Sequence, residues 1–369
     1  MTTLVIDVDG LSSLFKTLEA EGYTLVGPTV ADQAIVYDTV HSPDDLPRGV
    51  TDVQEGGRYR LEERADDARF GYNIGPTSWK RYLFPPRTEL LRARRRDGRL
   101  VFETSEENPP SYAFIGVRPC ELAAIAIQDR VFMGSGRVDR TYASRRAGVF
   151  MVAVNCGQAG ATCFCASMGT GPRATDGYDL VLTELIEAGG PRYVVETGSA
   201  RGETVAKSLP GGLATEDDLA GVASAVARAE SEVGRRLDTN GIRDLLVENP
   251  DHPRWDEVAE RCLTCGNCTL ACPTCFCSTT EDAVTLDGTA VRSRRWDSCF
   301  GLDFSGLHGH PVRSSAKSRY RQWMTHKLAT WHDQFGTSGC VGCGRCITWC
   351  PVGIDITAEV AAIRETVRA

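Results

Sequence analysis

The chain has 369 residues with a hydrophobic content of 42%, which fits a globular protein of two or three domains. Its formal net charge of −8 argues against general binding to nucleic acid, and no apolar stretch approaches the length of a membrane span. Asp7 and Asp9 interrupt any signal-peptide core, and fifteen cysteines are an odd number, so we expect a cytoplasmic protein whose thiols bind metal rather than form disulfides.

The first part of the chain predicts a mixed α/β unit. Apolar residues at helical spacing indicate a helix over 11–18 that begins at Asp9 or Ser12. Apolar and β-branched runs indicate strands. The run over 148–155 has the composition of a strand that is buried on both faces. The predicted strands are 34–40, 112–117, 148–155, 179–186 and 192–197. Together they predict a sheet flanked by helices.

Four cysteines of this unit follow strands or lie in a glycine-bearing turn. They are Cys120, Cys156, Cys163 and Cys165. Loops at the carboxyl ends of strands are where ligand groups converge, so these thiols are candidates for a [4Fe-4S] cluster. The alternative is that they are small buried hydrophobic side chains, as free cysteines often are.

A long amphipathic helix is predicted next, because apolar residues recur at steps of three and four over 219–233. We expect this helix to join two domains. The first is a mixed α/β domain over 1–237, with the possible additional cluster, and the second covers 238–369.

The second domain contains the pattern C-x2-C-x2-C-x3-C-P twice, which is typical of two-cluster ferredoxins. In that arrangement the first three cysteines of a run bind one [4Fe-4S] cluster, and the fourth binds the other. Soft thiolates suit such clusters, although C-x2-C pairs also form structural zinc sites. The predicted ligand sets are Cys262, Cys265, Cys268 and Cys350 for cluster 1, and Cys340, Cys343, Cys346 and Cys272 for cluster 2.

Much of the segment between the two motifs predicts helix. An apolar stripe at helical spacing runs over 320–335, and a second one runs over 356–367 after the second motif. The predicted fold class is therefore α+β, with an N-terminal mixed α/β domain followed by an α-helical ferredoxin domain that carries two [4Fe-4S] motifs.

Three further cysteines have no assignment. Cys275 and Cys277 repeat the Thr-Cys-Phe-Cys sequence found at 162–165, and Cys299 lies in the segment 294–299. They could surround a cluster without binding it, form a site completed by a partner subunit, or replace Cys272 as a ligand. Their spacing does not choose among these possibilities.

Common substrate-site motifs are not found in the sequence. There is no G-x-G-x-x-G after a strand, no G-x4-G-K-[ST] and no H-E-x-x-H. We therefore expect no catalytic residues and no cofactor-binding residues beyond the cluster ligands, in a chain that carries electrons for a larger oxidoreductase.

Five cysteine-containing segments carry a family resemblance. GVRPCELAAI, NCGQAGATCFCASMGTGP, CLTCGNCTLACPTCFC, RRWDSC and CVGCGRCITWCP resemble segments of the beta subunit of soluble, sulfhydrogenase-type [NiFe] hydrogenases. The A subunit of anaerobic sulfite reductase is a close relative of that family and shares the motifs. The resemblance extends from about residue 70 to the C-terminus.

This resemblance implies an electron-transfer subunit of a cytoplasmic, NAD(P)-linked hydrogenase. Its partners would be the hydrogenase large and small subunits and a flavin-containing subunit that exchanges hydride with NAD(P)H. In the sulfite-reductase alternative, the distant partner would be a sirohaem subunit. A zinc-stabilised scaffold without a redox role is the alternative from a different class. The resemblance also favours the additional cluster at the N-terminal cysteines.

Overall fold

The computed structural model describes residues 3–73, 75–104, 109–134, 136–187 and 189–368. Strands and helices are numbered in chain order. The strands are β1 (Thr3–Ile6), β2 (Thr24–Ala31), β3 (Ala34–Thr39), β4 (Val50–Glu55), β5 (Arg58–Glu63), β6 (Arg87–Arg96), β7 (Arg99–Thr104), β8 (Tyr112–Val117), β9 (Phe150–Val154), β10 (Leu180–Glu187), β11 (Gly190–Thr197), β12 (Gly212–Leu213), β13 (Ser278–Val284), β14 (Ala290–Trp296), β15 (Gly306–Leu307) and β16 (His310–Pro311).

The helices include two short ones that each carry a cysteine. They are α1 (Val8–Ala20), α2 (Lys80–Leu83), α3 (Pro119–Met133), α4 (Arg140–Ala147), α5 (Ala200–Ala206), α6 (Glu216–Ser231), α7 (Ile242–Glu248), α8 (Arg254–Arg261), α9 (Asn267–Leu270), α10 (Ala316–Thr325), α11 (Trp331–Phe335), α12 (Arg345–Thr348) and α13 (Ile356–Arg368). A π-helical turn, His326–Thr330, joins α10 to α11.

An eight-stranded mixed sheet forms the centre of the N-terminal part, in the order β12-β1-β11-β10-β9-β8-β2-β3. The four adjacent strands β2, β8, β9 and β10 are parallel, and the remaining pairs are antiparallel. Alternate residues of β9 enter two hydrophobic clusters, one that contains Val152 and one that contains Met151. The prediction of a sheet flanked by helices, with a strand buried on both faces, is therefore confirmed.

Helix α1 confirms the predicted helix, but its first residue differs from the prediction. The Asp7 side chain accepts a hydrogen bond from the backbone N–H of Gly10 at 2.9 Å, which makes Asp7 the N-cap. Ser12, one of the predicted start residues, instead donates its hydroxyl to the carbonyl of Val8 within the helix. Helix α6 covers most of 219–233, but Leu219 is 47% exposed and lies outside the core.

The segment between the two cysteine motifs differs from the prediction that much of it is helical. Residues 278–296 form the β13-β14 hairpin, and β14 pairs with β6 in a four-stranded sheet of order β13-β14-β6-β7. The turn of the hairpin contains the Asp287-Gly288 sequence, a strong local hairpin signal. After a short 3-10 helix at Asp303–Ser305, α-helix begins only at Ala316. The domain boundary near residue 238 stays a prediction.

No helix in the described ranges combines the length and apolar character that a membrane span needs.

Candidate iron-sulfur centres

The structure brings the predicted set for cluster 1 to one cavity. Cys262 caps the end of α8, Cys268 lies in α9, and Cys350 follows α12. All four thiols of the set line the cavity, together with the rings of the buried Tyr320 and Trp323.

Backbone N–H groups point at two of the sulfurs of this set. The N–H of Thr264 donates to Cys262 Sγ at 3.4 Å, and that of Ile354 donates to Cys350 Sγ at 3.3 Å. Such bonds stabilise the charge of thiolates that bind iron. The geometry fits a [4Fe-4S] cluster.

The predicted set for cluster 2 also converges. The thiol of Cys346 lies within electrostatic range of Cys340, Cys343 and Cys272. The N–H of Gly342 donates to Cys340 Sγ at 3.4 Å. These four cysteines come from two segments that are distant in the sequence, and their assignment to one cluster stays a prediction.

A single ion fits these sets less well than a cluster does. A zinc ion needs four ligands at about 2.0–2.3 Å from one centre, whereas the iron atoms of a cubane spread its thiolates around a larger core. The donor chemistry and the cavity therefore favour clusters over zinc.

Burial sets the protonation of most of these thiols. It raises the pKa of Cys340 to about 12 and raises the pKa of Cys268 well above its ordinary value. Cys272 differs, because a hydrogen bond from the Cys275 thiol and the nearby charge of Lys327 hold its pKa well below the ordinary value. Iron binding must displace the protons of thiols such as Cys340 and Cys268, whereas the lowered pKa of Cys272 favours its thiolate form.

Lys327 is a buried cation beside cluster 2, and the sequence analysis did not single it out. Its ammonium donates to Cys272 Sγ at 3.2 Å, to Thr274 Oγ1 at 3.1 Å and to the Gly339 carbonyl at 3.0 Å. Burial alone lowers the pKa of Lys327, but the thiols of Cys272 and its neighbours raise it well above the ordinary value. A fixed positive charge therefore lies against a predicted ligand sulfur.

We expect Lys327→Met to lower the reduction potential of cluster 2 by roughly 60 mV, about a tenfold change in a one-electron equilibrium constant. The ammonium favours the reduced cluster because reduction adds a negative charge. An anaerobic redox titration followed by electron paramagnetic resonance measures the potential. Lys317→Met is the control, because Lys317 is bonded to Asp256 at 2.8 Å on the surface. An unchanged potential in Lys327→Met would contradict the assignment of Cys272 to this cluster.

The four N-terminal cysteines come together at one edge of the central sheet. Strands β8 and β9 are parallel neighbours, so their carboxyl ends share that edge. Cys120 lies in the first turn of α3 after β8, and Cys156 lies two residues after the end of β9. The thiols of Cys120 and Cys163 each lie within electrostatic range of Cys156 and Cys165. The four form one group, called the N-terminal thiol set below.

A buried arginine supports an anionic group at the N-terminal thiol set. Arg118 is 2% exposed and donates to the carbonyls of Phe70 and Tyr72, each at 2.8 Å. Its Nε and Nη1 atoms are buried without a partner among the described residues. Burial raises the pKa of the Cys156 thiol, and Arg118 opposes this rise. An iron-sulfur cluster bound by four thiolates is negatively charged, so it would suit this buried cation as a neighbour.

The segment that carries Cys163 and Cys165 packs directly against the second cysteine motif. The N–H of Phe164 donates to the Gly342 carbonyl at 2.8 Å, and Thr162 and Thr348 join their hydroxyls at 2.7 Å. A Cβ atom at Gly342 would lie 2.6 Å from the backbone of Phe164, and one at Gly344 would lie 2.4 Å from the Thr162 carbonyl. These glycines are therefore needed for the contact between the two sites.

The three unassigned cysteines lie near the predicted cluster 1 and cluster 2 sets. Cys275 lies within electrostatic range of Cys272, and Cys277 and Cys299 line the same cavity. Sequence reasoning left their role open because it could not show these contacts. It also missed Lys327 and Arg118. The sequence signal for each is only its position, because Lys327 lies within an apolar helical stripe and Arg118 lies two residues before Cys120.

Comparison with known proteins gives two matches. Residues 261–354 match the family model of the 4Fe-4S dicluster domain. The chain is also 30% identical over 319 residues to the sulfhydrogenase 2 subunit beta of Pyrococcus furiosus, across 85% of this chain and 91% of that protein. No solved structure matches the chain.

Proposed function

Because the chain belongs to the beta-subunit family of sulfhydrogenase-type hydrogenases, we propose that it relays electrons between a hydrogenase module and a flavin subunit. The module would comprise the hydrogenase large and small subunits, and the flavin subunit would react with NAD(P)H. The chain carries a 4Fe-4S dicluster domain, which is the electron-transfer part of this proposal. When bound, each [4Fe-4S] cluster supplies a one-electron carrier.

The single observation that supports the proposal is that the three thiol sets are neighbours of one another. Cys343 of the cluster 2 set lies within electrostatic range of Cys120 and Cys163 of the N-terminal thiol set. Cys346 of the same set lies within range of Cys268, which belongs to the cluster 1 set. The cluster 2 set is therefore between the other two, and three clusters in this order would form a continuous path for electrons.

One end of this path reaches the surface. Cys265 is exposed, and the neighbouring Leu263 and Leu270 are 61% and 44% exposed. An exposed ligand with apolar neighbours suits electron exchange with a docked partner, because it shortens the distance between the two redox groups. We place one partner subunit at this end.

A cytoplasmic complex is part of the proposal. All fifteen cysteines are free in the structure, and several are half-buried at predicted cluster sites. Free thiols and iron-sulfur ligation both suit a reducing compartment.

The test is reconstitution of the whole complex under anaerobic conditions. The chain is co-expressed with the large, small and flavin subunits, and hydrogen gas is added to the purified assembly. We expect hydrogen to bleach the visible absorption of this chain's clusters and NAD(P) to restore it. The isolated chain, which lacks the hydrogenase module, is the control and should not respond to hydrogen.

Two outcomes would contradict the proposal. One is a complex that forms without any effect of hydrogen on the clusters of this chain. The other is selective assembly with a sirohaem subunit, which would favour the sulfite-reductase alternative.

A further inference from the structure

The four-stranded sheet of order β13-β14-β6-β7 exposes one of its faces near the closed end of the β6-β7 hairpin. Ala93 of β6 pairs with Phe102 of β7 and with Ala290 of β14. Ala290 in turn pairs with Val284 of β13. Residues that pair directly across antiparallel strands point to the same face of a sheet. These four residues therefore form one row across all four strands.

This row is apolar and open to solvent. Phe102 is 62% exposed and Val284 is 74% exposed. Leu100, which lies two residues before Phe102 and so on the same face, is 57% exposed. Ala93 and Ala290, in the middle of the row, are small. The face is therefore a shallow trough, whose floor is the two alanines and whose sides are the larger side chains of β7 and β13.

The width of the trough suits an α-helix. Phe102 and Val284 are three strand spacings apart, which is roughly 14 Å at about 4.8 Å per spacing. An α-helix with its side chains is about 10–12 Å in diameter. One helix therefore fits between the two sides, and the small side chains of the floor let it approach closely.

The sheet also has open edges. β7 and β13 are its outer strands, and neither pairs with a further strand among the described residues. An edge strand with exposed apolar side chains, such as Leu100 and Phe102 of β7, associates with other chains unless something covers it. Cover for this part of the sheet would have to come from a second molecule.

The charge beside the trough selects an acidic occupant. The β6-β7 hairpin contains six arginines and three acidic residues, in a chain whose net charge is −8. Three of the arginines form ion pairs, which are Arg87 with Glu281, Arg92 with Glu89 and Arg94 with Glu103.

The other three arginines, at the closed end of the hairpin, are unpaired. Arg95, Arg96 and Arg99 are exposed, and none of them has an ion pair or a hydrogen bond to another described residue. Arg95 pairs with Leu100 in the strand register, so it lies on the same face as the trough. A second copy of this chain is a poor occupant, because two facing troughs would bring like charges together.

We propose that the trough binds an amphipathic helix of a partner subunit. The apolar side of that helix packs on Ala93 and Ala290, and its acidic residues meet Arg95 and the closed end of the β6-β7 hairpin. β13 begins directly after Cys277, so the docked helix would hold the partner beside the ferredoxin part of the chain. The inference rests on the proposed function for the existence of partner subunits, but not for electron transfer.

The first test measures binding of the iron-loaded chain to the other subunits of the complex under anaerobic conditions. Phe102→Asp should weaken this binding at least about tenfold, because it removes the largest side chain of the trough and places a charge there. Leu213→Asp is the matched control, since Leu213 is 78% exposed on β12, outside this sheet. The control should bind normally, and both variants should keep the full iron content.

A charge variant tests the chemistry of the partner. Arg95→Glu should slow association about tenfold at low ionic strength, and the difference should shrink in 1 M salt, where charges are screened within about 3 Å. Lys16→Glu makes the same change of charge on the exposed side of α1 and is the control. Equal effects of the two variants would show a response to net charge only and would overturn the acidic docking surface.

A cross-link identifies the occupant. Arg95→Lys keeps the charge and supplies an amine that a carbodiimide can couple to a neighbouring carboxylate. Mass spectrometry of the cross-linked complex should find this lysine joined to an Asp or Glu in an amphipathic helix of another subunit. Links confined to carboxylates of this chain would overturn the proposal.

The remaining outcomes distinguish other occupants. Self-association of this chain that Phe102→Asp abolishes would identify a second copy as the occupant. Bound nucleic acid that is lost in Arg95→Glu would identify a nucleic acid. Either result would overturn the proposal.

The docking site and the electron relay can fail separately. If hydrogen reduces the clusters of this chain and Phe102→Asp binds normally, the docking site is wrong and the relay stands. If Phe102→Asp weakens assembly but hydrogen never reduces the clusters, the docking site stands and the relay is wrong.

Discussion

Cys163→Ala is expected to lower the iron content by about four atoms per chain, from about twelve to about eight, while the clusters of the two ferredoxin motifs remain. The four cysteines of the N-terminal thiol set lie in the first turn of α3 after β8 and in the segment after β9, and their backbone is held by the sheet and by the contact with the second motif. The loss of one ligand should therefore remove this cluster without unfolding the ferredoxin motifs.

Anaerobic iron and sulfide analysis, together with electron paramagnetic resonance of the reduced protein, measures this effect. The matched control is Cys277→Ala, because Cys277 lies in the second Thr-Cys-Phe-Cys sequence but outside the three predicted ligand sets. We expect its iron content to equal that of the unmodified protein. Unchanged iron in Cys163→Ala would show that the N-terminal thiols are buried side chains without a cluster.

The second large effect is expected from Arg345→Met, which should lower stability by about 3–5 kcal/mol, because it breaks a fully buried ion pair. Arg345 is 1% exposed and donates to Glu121 Oε1 at 2.7 Å and to the carbonyls of Gly75 and Thr77 at 2.9 and 2.7 Å. Glu121 is 1% exposed and also accepts from the hydroxyl of Tyr37 at 2.6 Å. Without Arg345, the charge of Glu121 would remain buried and uncompensated.

Native-state hydrogen exchange of the amides in α12 and α3 measures this loss, because these helices carry the two partners. Arg243→Met is the control, since Arg243 pairs with Asp333 at 3.0 Å on the surface and should change stability by less than about 1 kcal/mol. The double variant Arg345→Met with Glu121→Gln should recover part of the loss, because no charge then remains buried. Equal protection in Arg345→Met and Arg243→Met would contradict the prediction.

The sequence predicted those features that depend on local pattern. The helix α1 and the strands β3, β8, β9, β10 and β11 have clear apolar periodicity or β-branched runs, and the structure confirms them. The spacing of the cysteine motifs predicted the 4Fe-4S dicluster domain, which the family match over 261–354 confirms, while the assignment of each cysteine to a cluster stays a prediction.

The features that the sequence could not predict depend on contacts between distant residues. The Arg345–Glu121 pair joins the second motif to α3, and Lys327 contacts Cys272 from a helix after the hairpin. No local pattern shows which charge will meet a given partner. The β13-β14 hairpin was missed for a different reason. The helical periodicity over 320–335 is strong, and the prediction of helix was extended from it to much of the segment between the motifs.

The pairing of β14 with β6 has a consequence for the evolution and engineering of this protein. Six residue pairs join these strands, so the backbone of the ferredoxin half completes a sheet that begins in the first hundred residues. A fragment cut from residue 238 onward would leave β14 with an open edge, prone to self-association. The cysteine motifs therefore cannot be transferred to another protein without β6. Recombination between relatives should keep β6 and β14 from the same parent.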